Sequence, residues 1–219
     1  MPRGTVLELL GAPASGKSGL AAELAGHPGV AVVKDHAAAD LPALGWALTR
    51  SPRVVSAKPQ GVSWSRWFAW AGRLGAVPQV ARRRMHEGAA VVLLDQGPAY
   101  TLGRIRALRR TVGGDDWWAS RIGHVAMTLD LLVLLEADVD TLVSRLRGRH
   151  KQHVASKLGD HALGEYLRQE RATCRFMAEV LGEAGVTVLR LDTAVTPLAE
   201  QAAAVLAHVG QLSDATGTR

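Results

Sequence analysis

One stretch near the start of the chain limits what it can fold into more than any other: TVLELLGAPASGKSGLAAEL, Thr5 to Leu24. An apolar run stops at Gly11, small and polar residues follow, and an Ala/Leu-rich segment begins after Lys17. Gly11-Ala12-Pro13-Ala14-Ser15-Gly16-Lys17-Ser18 satisfies G-x-x-x-x-G-K-[ST] at every fixed position. The physics of the motif asks for these types. Gly11 and Gly16 permit backbone angles and close approaches that a Cβ would obstruct. The N–H groups of the loop, from Ala14 and Ser15 through Ser18 and Gly19, can then converge on phosphate oxygens at the positive end of a helix. Lys17 is expected to bridge the β- and γ-phosphates of a nucleoside triphosphate, and the Ser18 hydroxyl to ligate Mg²⁺.

A strand–loop–helix opening of this kind predicts a parallel sheet, and the rest of the chain supplies the strands. Apolar runs recur at Thr5 to Leu10, Val30 to Asp35, AAVVLLDQG ending its strand at Asp95, Leu131 to Leu135, and Val186 to Thr193. Three are almost unbroken Val/Leu/Ala, as strands buried on both faces are. Helical stretches alternate with them: Leu41 to Arg50, Trp64 to Glu87 with an interruption expected near Gly72 to Pro78, Pro98 to Arg110, Asp160 to Gly185, and Pro197 to His208 before a frayed polar tail. Alternation of this kind is an α/β three-layer fold. With 219 residues and no repeat or linker, a single domain spanning 1–219 is expected.

Composition narrows the setting. Hydrophobic residues make up 47% and charged residues 21%, ordinary for a globular domain, and no apolar run reaches the roughly 18 residues of a membrane span. The start, MPRGTVLELLGAP, does not have the pattern of a cleaved signal peptide. A lone Cys174 excludes an intramolecular disulfide and reads as a small core residue of a helix. These features together predict a cytoplasmic protein without a membrane partner. The net charge is +6, and most of it lies in one place: Arg145, Arg147, Arg149, Lys151 and Lys157 fall within RLRGRHKQHVASK, which holds no acid. A local excess suits a site that meets a concentrated anion, rather than a nucleic-acid face spread over the domain. Cations at alternate positions cannot share one side of a regular helix, so an irregular segment that surrounds a ligand is expected.

A triphosphate cradle does not name a reaction. No N-K-x-D guanine-reading motif is present, which argues against a switch GTPase. The order of features, namely the phosphate loop, an acidic end to strand two, LLDQG after strand three, and an Arg-rich segment before a long helix, resembles the P-loop kinases of the nucleoside and nucleotide kinase superfamily, thymidylate-kinase-like proteins included. The resemblance implies a five-stranded parallel sheet in the order 2-3-1-4-5, with a LID at about 145–158 that closes over the phosphates. It implies ATP and Mg²⁺ as cofactors, a small-molecule acceptor (nucleoside, nucleotide, sugar or natural-product hydroxyl), and admits a homodimer. In this frame Asp35 is the general base beside the acceptor hydroxyl, or else a turn acid. Asp95 organises Mg²⁺ or acceptor, or else caps the helix that starts at Pro98. Arg145, Arg149 and Lys151 compensate phosphate charge from the LID. Relatives carry Arg after the strand-three acid where this chain has Gln96, which weakens the case for a nucleotide-monophosphate acceptor.

Further expectations concern aromatic and basic residues. Trp64, Trp67 and Trp70 are read either as a stacking platform for a flat acceptor or as helix packing. One residue of Arg82-Arg83-Arg84 is a candidate for an anionic acceptor, and Trp117-Trp118 for closing the site. The competing reading is a nucleotide-dependent regulatory ATPase whose basic segment holds RNA or a protein.

Overall fold

The computed structural model describes residues 4–33, 58, 61–108, 115–149 and 154–217. Asp35, the stretch Leu41 to Arg50 and Lys151 lie outside the described residues, and with them three of the sequence expectations. Strands β1 (Thr5–Gly11), β2 (Val30–Val33), β3 (Val91–Asp95), β4 (Leu131–Glu136) and β5 (Thr187–Asp192) form one sheet. Its order is β2-β3-β1-β4-β5, with every neighbouring pair parallel. The expected fold and strand order are present.

The period of two along each strand divides the core. Val6 and Leu10 of β1, Val92 and Leu94 of β3, and Leu132 and Leu134 of β4 face one side. There they meet α2 (Trp64–His86), α3 (Pro98–Leu108), α4 (Asp115–Ala126) and α6 (Asp160–Glu183). Leu7, Leu9, Leu93, Val133 and Leu135 face the other side, against α1 (Lys17–Ala25) and α7 (Leu198–Gly217). The central strands are therefore covered twice, which is why they read as continuous apolar runs. A third, smaller cluster joins Ala12 and Ala14 of the phosphate loop to Leu142 and Leu146 of α5 (Val139–Arg147) and to Leu163 and Leu167 of α6. Asp138 caps α5 locally, its Oδ1 accepting from the Thr141 N–H at 2.7 Å.

Several boundaries differ from expectation. Helix α2 is continuous from Trp64 to His86 rather than broken near Gly72 to Pro78. Proline removes one N–H from the ladder. Here the turns on both sides of Pro78 are held by burial of Trp67, Trp70, Ala71, Val77, Val80 and Ala81 in one core, so the helix runs on. Helix α7 extends to Gly217 instead of ending at His208, with Val209 buried and Leu212 packed on the same core. Helix α4, not expected as an element, carries Trp117 into the core.

The tryptophans divide by depth. Trp67 is fully buried and meets Trp117 at 6.1 Å between ring centroids, and Trp70 is buried beside it. Trp64 is 49% exposed and stacks on Phe68 at 5.5 Å. Trp117 and Trp118 do not close the site: Trp117 belongs to the core, and Trp118 lies beside Arg106. Trp67→Ala is expected to destabilise the protein by about 3–5 kcal/mol, against under about 1 kcal/mol for Trp64→Ala. Urea unfolding of both variants checks the contrast.

Candidate nucleotide site

Parallel pairing brings the C-terminal ends of β1, β3 and β4 to one edge of the sheet, and the residues that follow them build the site. Register sets Leu9 of β1 opposite Asp95 of β3, and Gly11 opposite Leu135 of β4. The loop after Gly11 turns sharply into α1. A Cβ on Gly11 would stand 2.4 Å from Ser15 Oγ and 2.6 Å from the Leu135 carbonyl, so no other residue fits. Gly16 caps α1 with φ +93°, the left-handed region that glycine enters at no steric cost. Ala14 occupies the same region at φ 67° despite its Cβ. The Lys17 ammonium folds back over this loop and donates to the Gly11 and Ala12 carbonyls at 2.7 and 2.8 Å. Burial lowers its pKa, and the neighbouring Asp95 charge works the other way. The Ser18 side chain is exposed at the mouth of the loop.

Two cavities meet at the loop. The first, about 100 Å³, is lined by the loop from Gly11 to Ser18 together with Asp95, Gln96, Tyr100 and Arg149. The second, about 400 Å³, lies between Ala14, Gly16 and Gly19 on one side and Arg145, Thr193, Thr196 and Gln201 on the other, with Arg149 again on its wall. Six of the sequence-derived site residues (Gly11, Ala14, Ser15, Gly16, Lys17, Ser18) thus share one cavity with Asp95 and Arg149. Gly19 and Arg145 belong to the second.

The arginines that sequence grouped together have separate partners. Arg145 and Arg147 sit in the last turn of α5, which closes at Gly148, rather than in an irregular segment. Arg145 donates to Thr193 Oγ1 at 2.9 Å and to the Thr193 carbonyl at 2.6 Å. Arg147 faces elsewhere and holds the return of the chain, donating to the Ser156 and Leu158 carbonyls and to Asp160 at 2.6–2.7 Å. Arg149 is exposed and lines both cavities. Arg82 to Arg84 are far from all of this. They end α2 just before β3 begins, at the opposite edge of the sheet, where Arg83 and Arg84 pair with Glu87.

One site residue escaped sequence reading. Glu8, in the middle of β1, is fully buried. Its carboxylate accepts from the Ala99 N–H at 2.9 Å and the Tyr100 N–H at 2.8 Å, the first turn of α3. The helix cap, the alternative reading of Asp95, is made by Glu8, and Asp95 lines the first cavity. The available signal was a single acid within an apolar strand, on the face that the period of two turns toward α3. Beyond Tyr100 on α3, Arg104 pairs with Glu170 of α6 at 2.6 Å, and Tyr166 hydrogen-bonds the same guanidinium. Cys174, one turn further along α6, is buried as expected, and burial pushes its thiol up to about 12.

No protein-family model matches the chain, and no curated protein matches it by sequence. Solved structures do match it in shape. They include deoxyadenosine kinase from M. mycoides with bound dATP (TM-score 0.55, 12% identity, 94% of this chain and 99% of that one). The same enzyme with the products dCMP and a flexible dCDP gives a TM-score of 0.57 at 13% identity, again over 94% of this chain and all of the other. With bound dCTP the values are 0.51 and 12%, over the same shares. At such identity the likeness is one of fold: the chain shares the architecture of these deoxyadenosine kinases.

Glu8 gives the site a dependence on pH. Burial pushes its carboxyl up from 4.5 to about 7, the helix N–H groups opposing the shift. Between those values the folded protein holds more protons than the unfolded chain, so stability falls as pH rises through the interval. The contribution is on the order of 3 kcal/mol, present below about pH 5 and lost above about pH 7. Denaturant unfolding from pH 5 to 8 should show wild type losing stability relative to Glu8→Gln by this amount. Parallel pH curves would show that Glu8 does not titrate there.

Proposed function

We propose that this chain is an ATP- and Mg²⁺-dependent phosphotransferase that moves the γ-phosphoryl group to a hydroxyl of a small molecule. The observation that carries this reading is the single cavity shared by the phosphate loop, Lys17, Ser18, Asp95 and Arg149. The adjoining second cavity has room for the base and sugar of the nucleotide, against Thr193 and Arg145. The deoxyadenosine kinases of like fold, which bind dATP and dCTP, lend support to a nucleoside triphosphate as ligand.

In this assignment the loop N–H groups hold the phosphates, and Lys17 leaves its carbonyl partners to reach the β- and γ-oxygens. Arg149 compensates charge on the equatorial oxygens during transfer. Arg145, fixed to Thr193, shapes the nucleotide end, and Lys151 follows Arg149 in the LID. Asp35 lies two residues beyond β2, whose neighbour β3 ends at Asp95, and is assigned the role of base. The acceptor oxygen attacks phosphorus, the bond to the β–γ bridging oxygen breaks, and the acceptor proton passes to Asp35.

Ser18 and Asp95 are hard oxygen donors on one cavity wall, and they fit a Mg²⁺ ion brought with the triphosphate. Among the described residues no three acidic, His or Cys side chains gather as a metal site of their own. When bound, such an ion neutralises phosphate charge. Gln96, neutral where related kinases carry Arg, favours an acceptor without a phosphate of its own. The internal use of Arg145 and Arg147 leaves the basic segment poorly suited to RNA. Among the described residues no helix is long and apolar enough to cross a membrane.

An acceptor screen that reads ADP release tests the proposal. Lys17→Ala should lower turnover on the order of 10²-fold or more. Asp35→Asn should lower kcat by about 10²–10⁴-fold with ATP affinity unchanged. Normal turnover in Lys17→Ala would overturn the triphosphate reading. Full activity in Asp35→Asn would remove the base and point to a phosphate acceptor, which has no proton to surrender.

A further inference from the structure

A carboxylate in the middle of a sheet is expensive, since burial without a cationic partner disfavours its charged form by several kcal/mol. Leucine fills the neighbouring positions of β1 at Leu7, Leu9 and Leu10, and a helix beginning at Pro98 would ordinarily be capped by a nearby Ser, Thr, Asp or Asn. Here the local position is closed. A Cβ on Gly97 would stand 2.7 Å from Glu8 Oε2 and 3.0 Å from the Leu94 Cβ. The preceding residue, Gln96, is held at φ 60°, a left-handed conformation uncommon outside glycine. Strand β3 thus passes into α3 through two residues, one in a left-handed conformation and one stripped of its side chain, and the turn closes on the carboxylate beneath it.

What distinguishes this cap from a local one is its origin. A side chain at position 95 or 97 would tie α3 only to the strand that precedes it. Glu8 belongs to β1, three residues before Gly11, and so ties α3 to the strand that carries the phosphate loop. Asp95 and Gln96, just before its two anchors, and Tyr100, one of them, face the loop across the first cavity.

We propose that Glu8 is a positioning residue of the phosphate site: by holding the first turn of α3 from the phosphate-loop strand, it sets the Asp95–Gln96–Gly97 corner against Lys17 and Ser18. The inference rests on the triphosphate reading above. It accounts for a buried acid at a position where leucine would pack, and for the exclusion of any side chain at Gly97. It assigns Glu8 no contact with nucleotide or acceptor.

The test measures ATP affinity of the full chain by calorimetry, with Mg²⁺ and with EDTA, alongside the thermal midpoint. In Glu8→Gln one N–H keeps an oxygen while the other meets an amide NH₂. Affinity in EDTA should stay near wild type because the loop is untouched. The gain in affinity conferred by Mg²⁺ should fall about tenfold or more, as when a residue behind a metal ligand is lost. Gly97→Ala reaches the same contact from the other side, displacing the carboxylate without changing its charge. It should reproduce the loss, and the double variant should be no worse than either alone. A merely structural Glu8 would move the thermal midpoint and leave the Mg²⁺ gain intact, and that result in either folded variant overturns the inference. If wild type binds ATP with no Mg²⁺ gain, or not at all, the triphosphate reading fails first and this inference with it.

Discussion

The parallel pairing of β1 with β3 on one side and β4 on the other is the constraint on which the rest of the structure depends. Because the three strands point the same way, their C-terminal ends deliver Gly11, Asp95 and Glu136 to one edge. Helices cover both faces, and the two cavities at the phosphate loop open at that edge. The phosphate loop can then be short and strained, with Gly16 and Ala14 in left-handed conformations, because the strand before it and the helix after it are fixed by two separate cores.

Around that frame the polar side chains fall into distinct tasks. Arg147 ties the chain leaving α5 to the start of α6, and Arg145 ties the end of α5 to the loop after β5. Thr193 in turn donates to the Glu136 carbonyl at 3.0 Å, which links that loop back to β4. Arg149, just past the helix, is left facing both cavities. A cation with its partners already in the protein shapes a wall.

The same division runs through the acids. Glu8 is buried and accepts helix N–H groups, while Asp95, one position further along the neighbouring strand, reaches the cavity. The Asp95 charge adds to the effect of burial in raising the Glu8 carboxyl. Carboxylates in adjoining registers thus take unlike roles because one points into the α3 face of the sheet and the other lies at its edge.

The sequence by itself determined what depends on neighbours along the chain. The phosphate loop was legible because its glycines answer local backbone demands, and the buried strands because covering both faces leaves only apolar residues. Cys174 was legible as a core residue from its helical setting. Tertiary structure decided whatever depends on partners distant in sequence. Pro78 could be read as a break, since the packing of Trp67 and Val80 that carries α2 through it is not local. Trp117 could be read as a lid, since its partner Trp67 lies on another helix. The alternating arginines read as one basic loop, although a helix end directs Arg145 and Arg147 to opposite sides. The cap of α3 lies 91 and 92 residues away from the N–H groups it serves. Propensity and periodicity act over a few residues, and only the assembled sheet brings Glu8 to the start of α3.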